Sequence, residues 1–191
     1  MTQVPPVTPF RIRLATRALA LGGVVAYPTE AVWGLGCDPD NGLAVAKILT
    51  LKGRDVTKGV ILVAADIHML EPYLSKVSAQ QRRQMLDTWP GPVTWLIPDN
   101  GMAAHWISGG QSTLAVRVTA HPVAAALSRA YGKPIVSTSA NPQGLPPALN
   151  LTRVKAYFGD KIDAYAPGKT SGANRPSEIR NLTTGQIMRP G

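Results

Sequence analysis

The sequence predicts a single α/β domain built on a mixed, partly parallel sheet with helices packed against it. Three observations predict it. Helical and strand-like apolar patterns alternate along the whole chain, as a helix-covered sheet requires. The strand-like runs are short and separated by proline- and glycine-rich turns, which favours a mixed over a purely parallel sheet. The 191 residues are 45% hydrophobic and carry no internal repeat or dividing linker, so one domain can bury a sizeable core. Residues 1–8 are expected to be a flexible N-terminus and residues 9–191 the domain itself.

The elements follow in order. Thr8 is positioned to cap an amphipathic helix from Pro9 to Leu21, which Gly22 and Gly23 stop. Val24–Tyr27 is a short apolar strand ended by Pro28. Asn41 caps a helix with apolar positions Leu43, Val45, Ala46 and Leu49. A strand at Val60–Ala64 precedes a helix near Ser78, where Ser78 and Gln81 form a capping-box pattern. Val93–Ile97 and Leu114–Val118 read as strands, His121–Tyr131 as a helix and Pro134–Ser137 as a buried strand. A helix over Leu151–Phe158 and strands over Glu178–Leu182 and Gln186–Arg189 complete the chain. The proline-rich segment Pro142–Asn150 is the best candidate for a mobile loop.

Composition narrows the function classes. Cys37 stands alone, which excludes an internal disulfide and a cysteine-built zinc cluster and points to a reducing compartment such as the cytoplasm. The longest nearly apolar stretch, Ala18–Pro28, is shorter than the roughly 20 residues a membrane span needs. The net charge is +9 and uneven. From Arg117 onward ten basic residues face three acidic ones, whereas the preceding 116 residues hold ten and eight. A basic C-terminal third suits an anionic partner such as a nucleotide or RNA, although a solvated surface also accounts for it.

Four segments carry candidate chemistry. LKGRDVTKG places Lys52, Arg54 and Lys58 after a helix, where they could converge on a polyphosphate or complement the helix dipole. PIVSTSANP offers Ser137, Thr138, Ser139 and Asn141 after a buried strand, and ligands of α/β sheets gather beyond strand carboxyl ends. PTEAVWGLG brings out Thr29 and Glu30, with Gly34 and Gly36 permitting close backbone approach. SGGQST precedes the strand LAVRV, on which the even spacing of Thr113 and Arg117 points both to one side. GKTSG at 168–172 resembles a P-loop ending, but Asp163 occupies the required glycine position. His68, His105 and His121 lack metal-ligand spacing and read as structural or surface residues.

Taken in order, these segments resemble the YrdC/TsaC family of threonylcarbamoyl-AMP synthases, in its minimal single-domain form. The matching pieces are PTEAVWGLG, KGR followed by Lys58, WPGPVT at 89–94, LAVRV, STSAN, RPSEI at 175–179 and the terminal RPG. The resemblance implies a twisted mixed sheet with a basic concave face. It implies a nucleotidyltransferase that joins L-threonine, bicarbonate or CO2, and ATP into threonylcarbamoyl-adenylate, releasing pyrophosphate. The product would pass to a threonylcarbamoyl-transferase complex that modifies adenosine 37 of tRNAs reading ANN codons. Mg2+ would arrive with ATP, with no tightly bound cofactor and no protein-built metal site. Carried over by motif, Lys52, Arg54, Ser139 and Asn141 form a catalytic polar tetrad around the nucleotide. Lys58, Thr113 and Arg189 lie on the ATP side, while Thr29, Arg117, Ser137 and Ser177 hold the threonine. Arg117 would grip its carboxylate in bidentate fashion. Ala31, Trp33, Gly59 and Val63 depart from residues common in the family.

Two other classes compete. A non-catalytic RNA-binding factor would explain the basic C-terminal third, with weak tRNA or double-stranded RNA contact also compatible with the enzyme. Carbamoyl transfer to a different acceptor is the third.

Overall fold

A computed structural model describes residues 9–173 and 175–191, so the expected flexible residues 1–8 and the Thr8 cap lie outside the described residues. The first helix is α1 (Pro9–Ala20), followed by strand β1 (Val25–Pro28) and β2 (Trp33–Gly36). Next come α2 (Gly42–Lys52), β3 (Ile61–Ala64), α3 (Ala79–Leu86), β4 (Val93–Pro98) and the single turn α4 (His105–Ser108). Then follow β5 (Thr113–Val118), α5 (Pro122–Tyr131), β6 (Ile135–Ser139), α6 (Leu151–Phe158), β7 (Ala164–Tyr165), β8 (Glu178–Asn181) and β9 (Ile187–Arg189).

Nine strands hydrogen-bond into one sheet in the order β7-β1-β2-β6-β3-β5-β4-β8-β9. The pairs β1–β7, β3–β5 and β4–β8 are parallel and the other five antiparallel. The mixed sheet expected from short strands and Pro/Gly turns is therefore present. β2, α4 and β7 were not expected. They have four, four and two residues, too short for a hydrophobic period to emerge.

Helix placement decides where ligands can enter. One face of the sheet is covered by α2, α3, α4 and α6, whose Val45, Met85, Ile107 and Phe158 join Leu62, Val116 and Val136 in the larger core. On the other face α1 and α5 pack Ile12, Leu19, Val123 and Leu127 over Val25, Tyr27 and Ile135, and Ser128 of α5 accepts from Ala65 N just past β3. Among the described residues, no helix longer than one turn lies on the remainder of that face.

Capping determines the helix limits largely as expected. The Asn41 side chain accepts from Leu43 N and Ala44 N, both at 3.1 Å. Ser78 and Gln81 make the reciprocal capping box. The expected apolar face of α2 holds at Val45, which is buried, and at Leu49, which packs on the core. Leu43 is 86% exposed and Ala46 is exposed, and Ala44, Ile48 and Lys52 turn inward in their place. The Asn41 cap sets the helix phase, and this rotates Leu43 to solvent.

The Pro142–Asn150 segment is irregular, as its prolines demand, and is fastened along its length. Gln143 N donates to Lys52 O (2.6 Å), Ala148 N to Ala140 O (3.2 Å) and Tyr157 Oη to Pro146 O (3.0 Å). No helix among the described residues is long and apolar enough to cross a membrane.

Candidate active site

The uncovered part of the sheet face floors a cavity of about 600 Å3. Alternation along the strands selects its floor. Thr113, Ala115 and Arg117 of β5 project into it, as their even spacing requires. Their neighbours are Val63 of β3, paired with Arg117, and Ser137 of β6, paired with Ile61. The cavity thus opens across a sheet face rather than beyond the strand carboxyl ends expected from α/β precedent. The physical reason is incomplete helix cover: β6 runs from Ile135 beneath α1 and α5 out to Ser137 and Ser139 on the bare floor.

Nine of the eleven expected site residues line the cavity: Thr29, Arg54, Lys58, Thr113, Arg117, Ser137, Ser139, Ser177 and Arg189. Loops make its walls. Gly53 ends α2 with φ 62°, a left-handed conformation open to glycine, and the reversal sends Arg54 toward the cavity. The Arg54 guanidinium donates to the carbonyls of Gly59 (3.0 Å) and Lys58 (3.3 Å). This loop packs on the segment before β5 through Val60 N to Ile107 O (2.9 Å) and Gln111 Nε2 to Thr57 O (3.0 Å). Across the cavity, Arg189 Nη2 donates to Ser177 O (2.6 Å) and Ser177 Oγ (3.1 Å). Thr29 Oγ1 donates to Val32 O (2.6 Å), closing the β1–β2 turn, so toward a ligand this hydroxyl can only accept.

Lys52 and Asn141 are placed differently. Lys52 is 5% exposed, and its ammonium donates to Ser139 O and to Asn141 O (2.7 Å) beneath the floor. The Asn141 amide donates to Pro142 O (3.0 Å) and Leu145 O (2.8 Å), while its Oδ1 is buried with no partner among the described residues.

The electrostatics are lopsided. Arg54, Lys58, Arg117, Arg175 and Arg189 line the cavity against one carboxylate, Glu30. Burial lowers the pKa of Arg54; it also lowers that of Arg189, which the Arg117 and Arg54 charges depress further. Such a site stores repulsion that an anionic ligand relieves.

Glu30 is the residue that sequence reasoning noted but did not assign. Its Oε1 accepts from Thr119 Oγ1 (2.9 Å) and Ala120 N (3.1 Å). Its Oε2 meets Arg117 Nη2 as an ion pair, and neither atom has any other partner among the described residues. Arg117 Nε donates to Gly91 O (3.0 Å). Nε and one Nη2 proton are thus engaged by the protein, which leaves Nη1 and the second Nη2 proton, the end-on edge of the guanidinium, for a ligand carboxylate. A signal was present in the sequence: Glu30 is the one acid within the four candidate segments other than Asp55.

Burial alone would raise the Glu30 carboxyl. The Arg117 charge and the hydrogen bonds outweigh it and hold the group below its ordinary value of 4.5. A depressed carboxylate stabilises the fold fully above the unfolded value and loses that contribution as pH falls through the folded one. We expect the urea midpoint to fall below about pH 4.5, less steeply in Glu30→Gln than in the unsubstituted protein. Parallel pH profiles would contradict this linkage.

A strap from β7 to β8 completes the surroundings. Ser171 N donates to Thr29 O (3.3 Å) and Ala173 N to Glu30 O (3.0 Å). His121 caps α5 through Nδ1, accepting from Val123 N (3.3 Å), and its Nε2 meets Lys169 O (3.0 Å). Burial lowers its pKa and favours the neutral ring. His121 is thus structural, as expected, and GKTSG belongs to this strap, with no helix following Gly172 among the described residues.

Residues 17–191 match the Sua5/YciO/YrdC family model, described as telomere recombination. A Cellvibrio japonicus protein named threonylcarbamoyl-AMP synthase is 54% identical over 180 residues, covering 94% of this chain and 95% of that one. Its namesake from Halorhodospira halophila is 53% identical over 190 residues, covering 99% and 100%. The solved P. abyssi Sua5 complexed with L-threonine superposes with a TM-score of 0.88 at 32% identity, over 95% of this chain. This chain spans about half of that structure, 54% of its length. By full-length sequence similarity and by shared sheet architecture, this chain belongs to the Sua5/YciO/YrdC family.

Proposed function

We propose that the protein is a threonylcarbamoyl-AMP synthase, which condenses L-threonine, CO2 or bicarbonate, and ATP into threonylcarbamoyl-adenylate and pyrophosphate. The observation that carries this reading is the two-sided chemistry of one cavity. Arg54, Lys58, Thr113, Ser139 and Arg189 offer cations and hydroxyls to a triphosphate. Thr29, Arg117, Ser137 and Ser177 offer hydroxyls and one guanidinium to an amino acid, with Glu30 orienting the guanidinium. The names carried by relatives at 54% and 53% identity support the same reaction.

The chemistry asks for such a site. The threonine amine forms a bond to CO2 and loses a proton, giving a carbamate. A carbamate oxygen then attacks the α-phosphorus while the bridge to the β-phosphate breaks and pyrophosphate leaves. Every participant is or becomes anionic, so fixed cations stabilise charge developing on the phosphates. Holding both reactants on one floor removes the cost of their encounter. Mg2+ would come with ATP and supply charge neutralisation, since Glu30, the one carboxylate lining the cavity, is engaged by Arg117, Thr119 and Ala120 rather than free to hold a metal. The product passes to a transferase acting on tRNA in the cytoplasm, and the basic surface supplies a weak tRNA contact.

The test is pyrophosphate release that requires both L-threonine and bicarbonate, with threonylcarbamoyl-adenylate identified by mass spectrometry. Arg54→Ala should slow release by about 10²–10³-fold, roughly 3–4 kcal/mol of transition-state stabilisation, with an unchanged circular dichroism spectrum. Full activity in that variant would remove Arg54 from the site. Turnover with other amino acids in place of threonine would favour carbamoyl transfer to a different acceptor.

A further inference from the structure

Lys52 and Arg54 are two residues apart, yet the fold sends them to different places. Gly53 in its left-handed conformation reverses the chain between them. Arg54 reaches the cavity wall, while Lys52 stays on the inner face of α2 with its ammonium under the end of β6. There it donates to the carbonyls of Ser139 and Asn141, the residues on either side of Ala140. Lys52 O in turn accepts from Gln143 N at 2.6 Å, so α2 grips this turn by both a side chain and its backbone. No carboxylate among the described residues neutralises the ammonium, and burial, then the Arg54 charge, push it down to about 8. Keeping a cation there is costly unless its geometry is needed.

We propose that Lys52 is a positioning residue rather than a phosphate ligand: it pins the turn after β6 so that Ser139 faces the nucleotide. The inference rests on the nucleotide-binding reading of the cavity and refines how its floor is built. A cation that contacts phosphate should matter in proportion to the phosphates present. One that shapes the floor should affect every nucleotide ligand alike.

Equilibrium titrations of ATP, AMP and adenosine against the unsubstituted protein, Lys52→Met and Arg54→Met separate these roles. Lys52→Met should weaken all three ligands by one common factor, about 10- to 100-fold, the scale of a displaced floor. Arg54→Met should weaken ATP far more than adenosine. Loss of ATP affinity in Lys52→Met with adenosine binding intact would overturn the assignment, as would unchanged binding of all three. Thermal melts check that each variant folds. If Lys52→Met does not, Lys52→Arg decides, because arginine is a good phosphate ligand but its larger planar head overpacks the buried space that the Lys52 ammonium fills. Equal weakening of the three ligands supports positioning, and preserved or improved ATP binding overturns it. If the unsubstituted protein binds neither ATP nor adenosine, the nucleotide reading itself falls. Unequal losses reject only the role of Lys52.

Discussion

Replacing Arg117 by methionine should cost about 3–5 kcal/mol of folding stability and abolish threonine-dependent turnover. Arg117 is 7% exposed and is the cation paired with Glu30, whose Oε2 has no other partner among the described residues. Methionine fills much of the space but leaves a carboxylate in the sheet floor with no counter-charge. Thr119 and Ala120 still donate to Oε1, so the carboxylate is only partly solvated. The deficit should shrink as pH falls and Glu30 takes up a proton, because its ion-paired state no longer distinguishes the two proteins. Adding Glu30→Gln to Arg117→Met should recover most of the stability, since removing both charges is far less costly than removing one. It should recover none of the turnover, because no guanidinium remains for the amino-acid carboxylate. Urea unfolding at pH 7 measures the first effect and pyrophosphate release the second. If Arg117→Met unfolds at the same urea concentration as the unsubstituted protein, the buried pair does not hold the floor as described.

What the sequence made legible was local. Strand alternation located β3, β4, β5 and β6 to within a residue or two, and side-chain caps at Asn41 and Ser78 started two helices where expected. The spacing of Thr113 and Arg117 placed both on one side because a strand has a strict period of two. What stayed hidden was relational. Glu30 and Arg117 are 87 positions apart, and nothing in either segment announces that they pair. The open half of the sheet face depends on how far α1 and α5 extend over it, which no periodicity encodes. The direction of Lys52 depends on one left-handed glycine and on the carbonyls of a strand 87 residues later. Order of motifs identified the chemistry; only the fold separates residues that line the cavity from residues that support it.

Gly36 shows the same distinction and yields the second large effect. The sequence suggested that Gly34 and Gly36 admit a ligand close to the backbone, but only Gly34 lines the cavity. A Cβ at Gly36 would lie 2.5 Å from Val136 O and 2.8 Å from Tyr27 Cε1. Neither neighbour can yield cheaply. Val136 O belongs to β6 and accepts from Tyr27 Oη (3.3 Å), and the Tyr27 ring is fully buried. Gly36→Ala should therefore destabilise the protein by about 3 kcal/mol, the upper end for an overpacked core. A Cβ at Gly34 would meet nothing closer than 3.4 Å, so Gly34→Ala should be nearly neutral for stability. The consequence reaches the site, because β2 and β6 pair Gly34 with Ser139. Relief of the Gly36→Ala clash must spread β2 from β6 and displace Ser139 on the cavity floor. Turnover should fall even at temperatures where the variant remains folded. Thermal melts with pyrophosphate assays at 25 °C below the variant's melting point check both halves. A Gly36→Ala protein as stable as Gly34→Ala would mean that β2 can move away from β6 without cost.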